Sequence, residues 1–192
     1  MRWNLFLAAT ALSLTACGQT SETPEADTAP TEKSANAEAV EIAAKDQLDG
    51  VTNEYCLDIA GGRENVDPAN GLQGHTCYSR DGALGTDQIF DASLFEQNTL
   101  FMPEYDVCVA VEGTEISLAA CDESEAQQIS FGEDGTIRPV ADDTQCFTLA
   151  SDTRTGKSSE NQIKALALES CSEEKAAFQQ WRARQDDDTP AA

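Results

Sequence analysis

Three short stretches between residues 56 and 90 concentrate the side chains able to do chemistry: Cys56-Leu-Asp-Ile59, Leu72-Gln-Gly-His-Thr-Cys77 and Asp87-Gln-Ile-Phe90. They offer two thiols, the carboxyls of Asp58 and Asp87, the amides of Gln73 and Gln88, and His75, the sole histidine of the chain. Nucleophilic catalysis does not suit this set. No nucleophile motif in a Ser/His/Asp order accompanies His75, and His75 has no evident catalytic partner. A zinc centre does not suit it either, because the cysteine spacings are wide, no Cys-x-x-Cys occurs and one histidine is too few. The acidic runs Asp122-Glu-Ser-Glu125, Asp142-Asp143 and Asp186-Asp-Asp188 match no EF-hand spacing and read as solvated loops and tail. No metal and no cofactor is therefore expected. Glycoside hydrolysis needs only two carboxylates, so the residues alone leave that chemistry open.

The elements that would position these residues recur. A cysteine opens an alternating strand, a second strand closes on another cysteine, and Gln-x-apolar follows. The pattern returns as Cys108-Val-Ala-Val111, Ile116-Ser-Leu-Ala-Ala-Cys121 and Gln127-Gln-Ile129. It returns again as Cys146-Phe-Thr-Leu149, Ala165-Leu-Ala-Leu-Glu-Ser-Cys171 and Gln179-Gln-Trp181. A period of roughly forty to fifty residues marks a repeat fold. Each unit divides into short strands of period two, separated by Gly, Asp, Asn and Ser clusters. The lead-in strands are predicted at Gly50-Val-Thr52, Thr99-Leu-Phe-Met102 and Gly135-Thr-Ile-Arg138. Short strands and no long helix predict an all-β barrel or trefoil.

Of 192 residues, 35 are acidic and 12 basic, for a net charge of −23. Phosphate binding needs basic stripes, so no nucleic-acid partner is expected, and an anionic bilayer surface repels such a chain. Seven cysteines is an odd number, and the first of them has its own explanation. Arg2 and the apolar run Leu5 to Leu14 read as a secretory signal too short to span a bilayer comfortably. The run ends in Leu14-Thr-Ala-Cys17, which resembles the lipobox of bacterial lipoproteins. The resemblance implies cleavage after residue 16, lipidation at Cys17, and anchoring without a transmembrane helix. Gly18 after the cysteine implies the outer membrane. The simpler alternative is an ordinary cleaved signal with a free cysteine. Residues 17–49 are then expected to be a flexible acidic linker, rich in Thr, Ser, Pro, Glu and Ala. Within it, Ala37 to Leu48 is expected to be a short helix or the chain's approach to the domain. Residues 185–192 read as a disordered acidic tail.

Residues 50–184, divided at about 50–95, 96–133 and 134–184, resemble the repeats of ricin B-type lectins, which fold as a β-trefoil. Only Trp181 keeps the family tryptophan; Phe90 and Ile129 take its place elsewhere and are expected in the core with it. The preceding glutamines, Gln88, Gln127 and Gln179, are expected to tie loop backbone groups. Export favours disulfides. Six cysteines allow fifteen connectivities, and the repeat logic of the resemblance selects Cys56–Cys77, Cys108–Cys121 and Cys146–Cys171.

The resemblance also implies a sugar site, with carbohydrate as the partner. A carboxylate suits vicinal hydroxyls and a ring suits a sugar's C–H face. The first repeat fits: Asp58 stands at the family aspartate, His75 at the stacking position in place of a larger aromatic, Gln73 two residues earlier, and Asp87 before Gln88. Tyr78 is a second aromatic candidate. The second repeat has Ala110, Ala119 and Ala126 at these places, and the third has Thr148, Glu169 and Phe178. Other readings remain open: Asp58 as an acceptor in the Ala60-Gly-Gly62 turn, and His75 as a strand residue without a ligand. Roughly three or four net hydrogen bonds of about 1 kcal/mol each, with a weak stack of about 0.5–1 kcal/mol, give affinity on the order of millimolar. In this family a trefoil usually accompanies a catalytic domain instead of acting as one, so the resemblance implies no enzyme. The alternative function is a structural or protein-interaction lipoprotein whose trefoil no longer binds sugar.

Overall fold

The computed structural model describes residues 38–50, 54–62, 65–78 and 85–185. The predicted signal, Cys17 and residues 186–192 lie outside them. The first repeat contains β1 (Ala39–Ala44), β2 (Tyr55–Ile59), β3 (Leu72–Thr76) and β4 (Ile89–Asp91). The second contains β5 (Phe101–Met102), β6 (Val107–Glu112), β7 (Glu115–Ala119) and β8 (Ile129–Phe131). The third contains β9 (Ile137–Pro139), β10 (Gln145–Leu149), a short additional β11 (Arg154–Thr155), β12 (Gln162–Ser170) and β13 (Trp181–Arg184). The only α-helical segment among the described residues is Ala176–Gln179, and no helix among them is long and apolar enough to cross a membrane.

Each repeat centres on an antiparallel hairpin: β2 with β3, β6 with β7, and β10 with β12. The lead-in strand of one repeat lies beside the closing strand of the repeat before it, β1 against β13 and β9 against β8. Alternate residues of these strands meet in one core with contributions from all three repeats, including Ile42, Phe90, Met102, Ile129, Ile137, Phe147 and Trp181. The architecture is a β-trefoil. Phe90, Ile129 and Trp181 are all buried, as expected, and the indole of Trp181 donates to the Phe147 carbonyl at 3.1 Å. A tryptophan buried with its N–H paired keeps its apolar area without an orphaned donor.

The three disulfides are Cys56–Cys77, Cys108–Cys121 and Cys146–Cys171, with Cα separations of 5.0, 5.1 and 5.0 Å. Each closes the open end of its repeat's hairpin. By the chain-entropy argument a loop of this size contributes roughly 3 kcal/mol.

The start of the domain differs from the sequence expectation. Val40 to Ala44 are buried in a strand, where a linker to residue 49 is expected, and β1 occupies a lead-in position in the first repeat. Val51 and Thr52 are outside the described residues. Alanine favours helix, but intrinsic propensity is small against tertiary pairing. The slot between β13, β2 and β4 supplies ladder partners that override it. Val40, Ile42 and Ala44 face the core, while Glu41 on the opposite side pairs with Arg184 of β13 at 2.5 Å.

The third repeat also departs from strict threefold form. The nine-residue β12 pairs through its second half with β10 and through Ile163, Lys164 and Ala165 with β3. The hairpins of repeats one and three thus join one sheet, in the order β10-β12-β3-β2-β1-β13. Gly74, opposite Lys164, has no side chain to collide with Leu149. Lys164 is 0% exposed; its ammonium lies 2.7 Å from Asp49 and donates to Ser151 and Thr153. A buried ammonium needs such full pairing.

A chain beginning at residue 45 would lack β1, exposing apolar partners in β2, β4 and β13. It is expected to lose cooperative unfolding, measured by thermal melting against the full chain. A cooperative melt within a few degrees of the full chain would show that β1 is dispensable.

Candidate functional site

The β2–β3 register sets the site. Asp58 lies directly across from Gln73, and Cys56 from His75, so the side chains of Gln73 and His75 share one face of β3. Gln73 Nε2 donates to Asp58 Oδ1 at 2.7 Å. Gln88, carried on the short 3-10 turn Thr86–Gln88, donates from its own Nε2 to Asp58 Oδ2 at 3.0 Å. The amide oxygens are also engaged: Arg154 donates to Gln73 Oε1 at 3.0 Å, and the Tyr78 N–H donates to Gln88 Oε1 at 2.9 Å. Both amides are therefore locked in orientation, and both carboxyl oxygens of Asp58 are occupied.

Asp58 is 1% exposed and does not reach the cleft described below. It accepts from side-chain amides and not from the Ala60-Gly-Gly62 turn. Burial pushes its pKa up to about 8; the neighbouring Asp87 charge adds to the rise and the two amides oppose it. Asp87 is 7% exposed, and burial pushes its pKa up to about 6. At neutral pH Asp58 accordingly holds its proton while Asp87 is ionised. Asp87 Oδ1 is buried with no hydrogen-bond partner among the described residues.

His75 is 4% exposed. Its Nδ1 lies 2.9 Å from the Thr76 carbonyl, which can only accept, so Nδ1 carries the proton. Nε2 is left to accept from the Tyr78 hydroxyl at 3.0 Å. Burial holds the imidazole pKa below its ordinary value, so the ring is neutral at physiological pH. Tyr78 packs on it with ring centroids 4.8 Å apart. Burial, with the charge of Asp87, keeps the phenol protonated. Of the two rings, Tyr78 presents more surface.

These residues open onto a cleft of about 510 Å³. Gln73, His75, Tyr78 and Asp87 line it from the first repeat, and Arg154 and Lys157 face them from the third. The structure therefore brings Gln73, His75 and Asp87 together at one cleft, with Asp58 and Gln88 supporting them from below. Arg154 and Lys157 were not legible as site residues, because nothing local in sequence ties them to residues 73–87. The one signal was the long connection between Leu149 and Gln162, against the short turn between Glu112 and Glu115.

The threefold counterpart isolates what is particular to the first repeat. Gln88, Gln127 and Gln179 each accept from the N–H of the residue after their repeat's second cysteine: Tyr78, Asp122 and Ser172, all at 2.9 Å. Each donates to the carbonyl just before that cysteine: Thr76, Ala120 and Ser170. This is the expected tie to loop backbone. The first repeat alone adds the carboxyl of Asp58; the third has Thr148, whose hydroxyl accepts from Gln179 at 2.8 Å, and the second has Ala110. At the His75 position, Ala119 is exposed and Glu169 pairs with Lys175. Glu41, Cys56 and Cys77 also converge, but the two sulfurs form a disulfide and Glu41 pairs with Arg184, so the group is structural.

Residues 99–190 match the family described as the ricin-type β-trefoil lectin domain. That match covers the second and third repeats, and the cleft's first-repeat wall precedes it. No match was found among curated proteins. Among solved structures, the chain is similar to a non-toxic homologue of type II RIPs from Momordica charantia (bitter gourd) in complex with α-methyl-D-galactoside. The TM-score is 0.52 at 19% identity, over 78% of this chain and 49% of that one, so this chain spans about half its length. It is similar to the earthworm R-type lectin C-half in complex with GalNAc, with a TM-score of 0.50 at 15% identity, over 76% of this chain and 97% of that one. It is also similar to the Vibrio vulnificus hemolysin/cytolysin β-trefoil lectin with N-acetyl-D-lactosamine bound, with a TM-score of 0.50 at 17% identity, over 79% and 96%. At these identities the likeness is one of fold.

Asp58→Ala would orphan buried amide donors of Gln73 and Gln88, at a cost of about 2 kcal/mol, and should lower the melting temperature by about 4–8 °C. The sign of the pH effect follows from the raised pKa. The folded state binds the Asp58 proton more tightly than the unfolded chain, so this stabilisation is complete below pH 3.8 and is lost as pH rises through about 8. Thermal melts at pH 5, 6.5 and 8 should show this decline in the parent protein and a flatter profile in Asp58→Ala. An unchanged melting temperature and slope would show that Asp58 has no organising role.

Proposed function

Residues 99–190 match the ricin-type β-trefoil lectin domain family, and from that match and the cleft geometry we propose that this protein binds carbohydrate through the cleft of its first repeat. The observation that carries the reading is Asp87: a carboxylate oxygen that is buried, has no hydrogen-bond partner among the described residues and belongs to a side chain lining a cleft. A buried acceptor left unpaired costs free energy until a donor arrives, and a sugar hydroxyl is such a donor. Tyr78 beside it, backed by the buried ring of His75, offers apolar ring surface for a sugar's C–H face. Asp58, Gln73 and Gln88 hold this arrangement without themselves needing to touch the ligand.

The sugars bound by the similar proteins, a methyl galactoside, GalNAc and N-acetyl-lactosamine, make galactose-type rings the first class to test. The role is binding and not catalysis, with affinity at one site on the order of millimolar. Many copies on one membrane would offset this through multivalency. Anchoring through a lipid on Cys17, at the outer membrane, is part of the same reading and rests on the lipobox-like residues Leu14 to Cys17.

Asp87→Asn should weaken sugar binding about tenfold or more with a small change in melting temperature, read by calorimetric titration or glycan-coated beads. Because the ionised carboxylate accepts the hydroxyl, affinity of the parent protein should fall as pH drops through about 6, by about tenfold per unit. The Asp87→Asn variant should lose that dependence. Silence across a broad glycan panel, from folded protein with its three disulfides formed, would favour a protein-interaction scaffold instead.

A further inference from the structure

The far wall of the cleft belongs to the third repeat and carries charge opposite to the chain as a whole. Residues 151–160 form an exposed excursion between β10 and β12. Its β11 segment pairs Arg154 with Ile163, and Ile163 in turn pairs with His75 of β3. Residues directly across antiparallel strands project to the same face, so Arg154, Ile163 and His75 stand abreast at the cleft. The excursion is tied down along its length. Thr153 donates to Asp49 at 2.6 Å, the Gly156 N–H to the Asn161 carbonyl at 2.6 Å, and Thr76 to the Glu160 carbonyl at 2.8 Å. The backbone that carries its basic residues is thus fixed beside the cleft before any ligand arrives, and the Arg154 side chain is held by Gln73, which lowers the ordering cost of binding.

In a chain of net charge −23, the described residues of the cleft lining include two cations, Arg154 and Lys157, and one carboxylate, Asp87. Arg154 makes one hydrogen bond, from Nη2 to the neutral Gln73, and no carboxylate partner pairs with it among the described residues. The rest of its guanidinium fork is available. Lys157 has no ion-pair partner among the described residues either. The surrounding acidity repels anions in general, so attraction for one has to be local to this wall. Neutral hydroxyls do not need two unpaired cations; a carboxylate or sulfate does, and the planar fork of Arg154 suits it.

Resting on the carbohydrate reading of the same cleft, we propose that its ligand is an acidic saccharide, bearing a carboxylate or a sulfate, whose anion is held by Arg154 and Lys157 while Asp87, Tyr78 and His75 hold the ring. The anion lies toward the third-repeat wall, away from Asp87. Specificity is then divided between two repeats: the first grips the sugar and the third reads its charge.

Calorimetric titration of the full, oxidised chain with galactose, galacturonate and galactose 6-sulfate tests this. At least one acidic sugar is expected to bind about tenfold more tightly than galactose, and the preferred arm identifies carboxylate or sulfate. Lys157→Glu, at an exposed side chain, should bring the acidic-to-neutral ratio to one or below. Arg154→Gln should also reduce that ratio, and Arg154→Lys should restore part of it. Galactose binding equal to or tighter than both acidic sugars would overturn this inference and leave the carbohydrate reading standing. A ratio unaffected by Lys157→Glu and Arg154→Gln would also overturn it. Absence of binding to all three sugars, and to a wider set of uronate and sulfated glycans and their neutral counterparts, would overturn both.

Discussion

A buried primary amide must find partners for both its N–H and its C=O. Gln88, Gln127 and Gln179 each do so on the backbone flanking the second cysteine of their repeat. The rest of the trefoil depends on that requirement. The loop after each hairpin carries backbone groups that would otherwise be buried unpaired. The glutamine satisfies them while the residue two positions on, Phe90, Ile129 or Trp181, enters the common core. The disulfide closes the hairpin beside each tie. Backbone satisfaction and apolar burial are thus supplied by one short segment, three times.

The first repeat extends this structural device to the cleft. There Gln88 reaches Asp58 as well as the loop, and Asp58 reaches Gln73, which takes Arg154 from the third repeat. Burial separates the two carboxyls: Asp58, enclosed and amide-bound, is raised to about 8, and Asp87, at the cleft, to about 6. Near neutrality one is a protonated organiser and the other an ionised acceptor. Two adjacent carboxylates are thereby spared full mutual repulsion, and the remaining charge sits at the cleft. The carboxylate–amide chain is missing from the second repeat, where Ala110 has no polar group, and shortened in the third, where Thr148 ends it.

The breaking of threefold form has a geometric origin in β12. Its first half leaves β10 to pair with β3, and Gly74 permits the approach. The paired Lys164 anchors the junction through Asp49, Ser151 and Thr153. Two hairpins that an ideal trefoil would keep apart become one ladder, and the excursion between β10 and β12 is carried over the first repeat's face. The cleft exists because of this fusion, since one of its walls is not from the first repeat.

Period-two strands, the three cysteine pairs and the buried Gln-x-apolar residues were legible in the sequence, because each depends on contacts within one repeat and recurs at a recognisable spacing. Asp58, Gln73, His75, Asp87 and Gln88 could be picked out as a group for the same reason. Their division of labour could not. Whether Asp58 lines the cleft or supports the residues that do depends on how deeply Gln73 and Gln88 enclose it. The strand at Ala39–Ala44 was hidden because its alanines carry little local signal, and the slot between β13, β2 and β4 decides its conformation. Arg154 and Lys157 were hidden because a long-range register, Arg154 to Ile163 to His75, places them. Local periodicity and spacing determine the repeat and its chemistry; only the packing of repeat against repeat decides burial, charge state and the second wall of the cleft.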